Sequence, residues 1–352
     1  MVTPTIVRTL AGALLLLASC GPGKTSEQPP VLANRTDSVR WEIKQLEQRI
    51  LDDPSNAALY DQRATLYERI DSTRRAVADV QRAIQADSTN AAIRLHAADL
   101  YYRTVDMEKA EINLRKAIEL APTDVRPRLK LAEMQLVLRR YKESMAAVND
   151  ALRIDPNAAH GYFIKGWIHM ENHDTAMALS SFRTAAEQDP QDYDAFVVLG
   201  KLSAALHDPL AEQYYNSALE VRPRSVEAYY NKGVYLQDNG RDSAALACYD
   251  RIKEIDPKNA LAWYNSGWVR MEHLNDPEQA KRDFSKAIEL ETNYADAWFN
   301  RGLAMERTQQ LDSAAANYQI CLSIDPAHSL AAEGVDRMAK RGVRIKSREV
   351  RK

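Results

Sequence analysis

Few residues in this chain are placed to do chemistry. His169 and His173, in the stretch HMENH, stand four apart and on a helix could face one way, as a pair of metal ligands does. The same stretch puts His169 on a packing stripe and His173 at a turn, with no third ligand, so the pair reads as packing and surface. No GxxxxGK loop, GxGxxG after a strand, GxSxG elbow or CxxC pair occurs. GPGK at residues 21–24 has no strand before it, and the carboxylates are scattered without an acid–base pair. Catalysis, cofactors and a small-molecule substrate are therefore not expected. What remains is contact chemistry. Two of the five tryptophans lie in near-identical hexapeptides, GWIHME at 166–171 and GWVRME at 267–272, and could present matching apolar surfaces if a repeated architecture placed them alike.

Such an architecture is written in the chain. Phrases that end a helix place Pro54, Ser88, Pro122, Pro156, Pro190, Pro223, Pro257, Thr292 and Pro326 in register, at spacings of 34, 34, 34, 34, 33, 34, 35 and 34. The hexapeptides are 101 residues apart, which is three of these units. Each proline lacks a backbone donor and ends a helix. Two residues later Asn56, Asn90, Asp124, Asp192, Ser225 and Asn259 can cap the next one. In the two copies of altered length, Asp208-Pro209 and Asp276-Pro277 stand at cap and first-turn positions between the paired helices.

A 34-residue helix-pair period resembles the tetratricopeptide repeat. With the residue three after each helix-ending position counted as position 1, eight copies occupy residues 57–328. Position 8, where helices approach, is Ala64, Ala98, Ala132, Gly166, Gly200, Gly233, Gly267 and Gly302. Position 20 is alanine in seven copies and Ser144 in the third; position 24 is Val80, Leu114, Val148, Phe182, Tyr215, Tyr249, Phe284 and Tyr318. Position 11, usually aromatic in the family, is Gln135, His169, Ser203 and Arg270 in four copies, which implies looser packing there. The resemblance implies an all-α fold, a right-handed superhelical α-solenoid with first helices lining a concave side. Residues 37–53, with Val39, Ile43, Leu46 and Ile50 on one stripe, and 329–352, with a helix ending near Gly342, are expected to cap its ends.

In the family, positions 5, 9 and 12 share the concave stripe. The fourth copy places Phe163, Trp167 and Met170 there and the seventh Tyr264, Trp268 and Met271, with Tyr230 and Phe299 at position 5 of the sixth and eighth. Early copies offer Asp61, Thr65, Asp99 and Glu133 instead, so the groove is expected to be apolar toward its C-terminal half. The family's clamp for acidic C-terminal carboxylates pairs a lysine at position 5 with an asparagine at position 9, and no copy here carries it.

The ends bear on location. LAGALLLLAS at residues 10–19 has the length of a secretory signal core, short of the roughly 20 residues that span a bilayer. Leu17-Ala18-Ser19-Cys20 resembles a bacterial lipobox, which implies cleavage after residue 19 and lipidation of Cys20. Residues 20–36 read as a flexible tether of roughly 20 Å reach. Gly21 after the cysteine and the lack of an acidic cluster imply an outer-membrane lipoprotein facing the periplasm. Cys248 and Cys321 fall two repeats apart, too far to bridge. Residues 337–352 carry eight Lys/Arg and one Glu, net +7, on a chain whose formal charge is −2. An acidic body behind a basic tail does not suit nucleic acid. The function expected is a membrane-anchored periplasmic scaffold whose concave groove binds segments of envelope proteins in assembly or secretion; the alternative is a glycan- or peptidoglycan-binding module using the same aromatics.

Overall fold

The computed structural model describes residues 35–345; Cys20 with its lipobox, the tether up to Asn34 and the last seven residues of the basic tail lie outside them. Among the described residues there are eighteen α-helices and no strand. The chain divides into two compact units at Asn113 and Leu114.

The first unit opens with α1 (Arg35–Asp52), whose stripe of Val39, Ile43, Leu46 and Ile50 is buried as its spacing requires. The first repeat follows as α2 (Ala57–Glu68) and α3 (Thr73–Ala86), then α4 (Ala91–Arg103) and α5 (Met107–Leu120), within which the division falls. In the second unit the third to eighth repeats are α6 (Arg126–Val137) with α7 (Tyr141–Ile154), α8 (Ala159–Glu171) with α9 (Thr175–Gln188), and α10 (Tyr193–Ala205) with α11 (Ala211–Val221). They continue as α12 (Val226–Asp238) with α13 (Asp242–Ile255), α14 (Ala260–Glu272) with α15 (Pro277–Leu290), and α16 (Ala295–Arg307) with α17 (Leu311–Ile324). The closing helix α18 (Ser329–Lys340) ends just before Gly342, at φ 83°. In the first unit α2 packs on α3 and α3 on α4; in the second, from α6 onward, the two helices of each repeat pack closely and each second helix also packs on the first helix that follows it.

The helix starts follow their caps, with three exceptions. Asn90, Asp192, Ser225, Asn259 and Asp276 each accept backbone N–H groups of the first turn. Asn56 does not; its amide turns back to the Asp53 carboxylate at 3.0 Å. Asp124 bonds Arg126 N, but α6 begins only after Val125, with Pro127 in its first turn. Asp208 accepts from Leu210 N, and α11 starts beyond Pro209 rather than at it.

The small residues at position 8 are buried under the large ones at position 24. A Cβ built on Gly166 would lie 2.6 Å from Phe182, far inside contact distance. At position 11, where looser packing was expected, the polar residues are instead largely enclosed. Gln135 Oε1, His169 Nε2 and Ser203 Oγ, in three consecutive repeats, are buried with no hydrogen-bond partner among the described residues. The fourth, Arg270, is instead paired with the buried carboxylate of Asp283. Cys248 and Cys321 are free, buried thiols in α13 and α17, and burial pushes Cys321 up to about 11.

Candidate functional site

α8 has no cap side chain and few charges, and its residues at i, i+4 and i+7 form one face: Phe163, Trp167 and Met170. What lies beneath sets the posture of the indole. Phe182, fully buried on α9, meets Phe163 edge-on at 5.5 Å and Trp167 edge-on at 5.6 Å between centroids. Phe163 and Trp167 meet each other at 6.3 Å and 78°. These edge-to-face contacts fix the ring, yet Trp167 stays 37% exposed.

The indole stands as a wall between two hollows. On one side, between α6 and α8, is a pit of about 220 Å³ formed with Leu136, Val137, Arg139, Tyr141 and Glu171. Tyr141 donates its hydroxyl to Glu171 at 2.7 Å, which holds the far rim. On the other side, between α8 and α10, a groove of about 410 Å³ has an apolar lining of Phe163, Met170, Val197, Val198 and Leu202. Its rim carries Asp194, Lys201 and Glu227, with Lys201 Nζ 2.6 Å from Glu227 Oε1. A third hollow of about 440 Å³, between α10 and α12, shares Lys201 and is lined by Tyr230, Val234 and Tyr235 among others. Tyr215 also borders it, and burial pushes its hydroxyl up to about 12. Phe163, Trp167, Met170 and Tyr230 are thus brought onto one continuous face.

The seventh and eighth repeats behave differently, which corrects the expectation of an apolar groove toward the C-terminal half. Met271 is 1% exposed, packed with Ala280, Phe284 and Ala304, and Arg307 donates to its carbonyl at 2.8 Å. Phe299 is 9% exposed, against Tyr318 and His328. Neither offers surface to a partner. Tyr264 is half-buried between Phe284 and Tyr294, accepts from Asn300 at 3.0 Å, and is pushed up to about 12 by burial. Trp268 leans on His273 at 5.0 Å and on two core clusters. The difference lies in what covers each position: Ala280, Phe284 and Ala304 enclose Met271 and Tyr318 and His328 stand against Phe299, whereas Trp167 borders open hollows on both sides. Near-identical hexapeptides therefore end in unlike surroundings. His173 lies in its turn at φ 60°, away from the Trp167 ridge.

Several residues of this face were not singled out by sequence. Val137 is 58% exposed at the pit's edge, and its signal was an apolar residue next to the first-helix end in the third copy. Lys201, at position 9 of the fifth copy, carries no sequence signal of its own. A larger hollow, about 640 Å³, lies beside Trp41 of the capping helix, against α2. Its walls set Glu42, Gln45, Arg49, Asp61 and Thr65 beside Trp41, and its Leu46 and Leu66 are buried. The smaller hollows flanking Trp167 carry the denser apolar lining.

Paired helices at this period with a built first-helix face define a helical repeat protein. Residues 62–125, 209–260 and 273–329 match the family model of the tetratricopeptide repeat (TPR), and the chain is a member of that family. The solved C-terminal part of a TPR repeat-containing protein from Cytophaga hutchinsonii is similar in fold, with TM-score 0.59 at 17% identity over 68% of this chain and 99% of that one. Among curated proteins, the type IV pilus assembly protein PilF of Pseudomonas aeruginosa is 28% identical over 142 residues, and the human protein O-mannosyl-transferase TMTC3 is 31% identical over 130. These matches take in 39% and 36% of this chain but 55% and 14% of those relatives. The transferase activity in the second name belongs to a protein of which this chain matches a small part.

Proposed function

We propose that this protein is a scaffold or adaptor that binds segments of other proteins along the first-helix face of its third to sixth repeats. One observation carries the reading: an exposed, rigidly held indole, Trp167, flanked on both sides by apolar hollows. Aromatic anchors in water-excluding pockets are the side chains that dominate interface energies. The repeat family supports the class of function, and the name of the Pseudomonas relative, a pilus assembly protein, suits a role in building the envelope.

On the same proposal, Cys20 is lipidated and holds the chain on the periplasmic side of the outer membrane, within the short reach of residues 20–36. The partners are envelope proteins in assembly or secretion. Affinity capture from detergent-solubilised envelope, with wild type and Trp167→Ala as paired baits, tests this. A stoichiometric protein partner retained by wild type and lost by the variant is the result expected. Retention on purified sacculi without any protein partner would replace the scaffold with the glycan-binding alternative.

A further inference from the structure

On the reading that Cys20 is lipidated, we infer that the exposed face of α3 is a second contact with the membrane, an arginine surface that lies against anionic phospholipid headgroups. Arg74, Arg75 and Arg82 are exposed, as are Ala78, Gln81 and Gln85, and the helical period puts all of them on one side of α3. No carboxylate shares that side: Asp79, the one acid of α3, is buried and bonded to Arg63 at 2.6 and 2.7 Å. Arg75 lies over the Tyr67 ring, 5.6 Å from its centroid. Arg74 and Arg82 have no ion pair among the described residues, and Asp71, exposed in the turn before α3, pairs with neither.

The arrangement works against the helix. A helix N-terminus favours negative side chains and disfavours positive ones. Among the second helices, α5, α7, α11, α13, α15 and α17 each place an acid in the first turn, whereas α3 places Arg74 and Arg75 there. A locally unfavourable choice with no compensating contact marks a surface kept for a partner. An arginine fork matches phosphate oxygens in pairs, which suits a phosphate-bearing surface. Position points to the lipid: residues 20–34 lead from Cys20 into α1, and α3 stands in the same compact unit, so the tether's reach of roughly 20 Å keeps this unit beside the bilayer. The chain as a whole is net −2, so attraction to an anionic bilayer has to come from a local surface such as this one or from the basic tail.

The test uses residues 21–352, which keep every described residue and leave out Cys20 and the apolar run 10–19 that would itself enter a bilayer. Binding is measured by co-sedimentation with vesicles of phosphatidylethanolamine and phosphatidylglycerol, and with vesicles of phosphatidylcholine alone. Wild type is expected to bind the anionic vesicles, to bind them less as salt is added, and to leave the neutral ones alone. Arg74→Glu with Arg82→Glu should weaken that binding by about tenfold or more, while the tail pair Arg348→Glu and Arg351→Glu, an equal change in net charge, should stay within about twofold of wild type. The α3 pair should melt no lower than wild type, because Arg74→Glu puts a favourable charge at the helix start. The neutral pair Arg74→Gln and Arg82→Gln should lose binding to an intermediate degree. No binding by wild type, equal loss in the α3 and tail variants, or unchanged binding by both α3 variants overturns the inference; the anchor itself is decided separately by Cys20→Ser.

Discussion

Gly200 and Tyr215 are fitted to one another: a Cβ on Gly200 would lie 2.5 Å from Tyr215 Cε1 and 2.7 Å from Cδ1. The fourth to eighth repeats all join a glycine at position 8 to an aromatic ring at position 24. The first and third join Ala64 and Ala132 to the smaller Val80 and Val148. Alanine favours a helix over glycine by about 1 kcal/mol, but overpacking at this separation costs about 1–3 kcal/mol, so the clash wins. Gly200→Ala is expected to lower the urea midpoint, and combining it with Tyr215→Val, the pairing of the early repeats, to cost less than the two changes summed.

The partnerless polar atoms at position 11 predict a gain. Ser203 is fully buried and its hydroxyl has no hydrogen-bond partner among the described residues. Removing an unsatisfied group relieves a desolvation penalty of about 1 kcal/mol. Ser203→Ala should therefore raise the thermal midpoint by a few degrees; a drop of similar size would mean that the hydroxyl has a partner after all.

In the first repeat Arg63 and Asp79 form a buried two-pronged pair, at 2.6 and 2.7 Å. Asp79→Ala strands a guanidinium that is 8% exposed as a residue and should cost about 3–5 kcal/mol. The double change to Leu at both positions removes the stranded charge and is expected to recover most of that loss in chemical denaturation.

His96 gives the first unit a pH signature. Burial alone would lower its pKa, but Asp61 at Nδ1, 2.6 Å away, and Glu68 at Nε2, 2.5 Å away, outweigh it and push it up to about 9. The folded value lies above the unfolded value of about 6.5, so the contribution is complete below that pH and is lost as pH rises through about 9. The stability gap between wild type and His96→Gln should be widest near pH 6 and close by pH 10. A gap that widens with pH would contradict the protonated, doubly bonded ring.

The anchor is tested by Cys20→Ser. A protein held by acyl chains should partition with membranes, and the variant should lose that partitioning or keep its signal uncleaved. Unchanged processing and detergent partitioning would remove the lipoprotein proposal.

Much of the fold was legible because a repeat states its rules many times over. One proline-anchored period yielded the helix pairs from α2 to α17, and the spacing of Val39, Ile43, Leu46 and Ile50 yielded the first cap. The site was legible only in part. Register placed Trp167 and Trp268 in the same slot, and it does so correctly, but register says nothing of what covers each slot. The cover over each position decides: Phe284 and Ala304 bury Met271, Tyr318 and His328 stand against Phe299, and the Trp167 face stays open. It depends on side-chain volumes in several repeats at once, which no single hexapeptide carries. Helix starts slipped past Asp124 and Asp208 although each still accepts a backbone N–H two residues on, from Arg126 and Leu210.

The most direct measurement is partner affinity for Trp167→Ala and Trp268→Ala, each beside its thermal unfolding. Loss of a central aromatic anchor costs about 2 kcal/mol or more of binding. Trp167→Ala should weaken the partner by more than tenfold with little change in melting, while Trp268→Ala, whose ring packs on two core clusters, should lower the melting temperature and leave affinity nearly intact. Undiminished binding by Trp167→Ala would contradict the account.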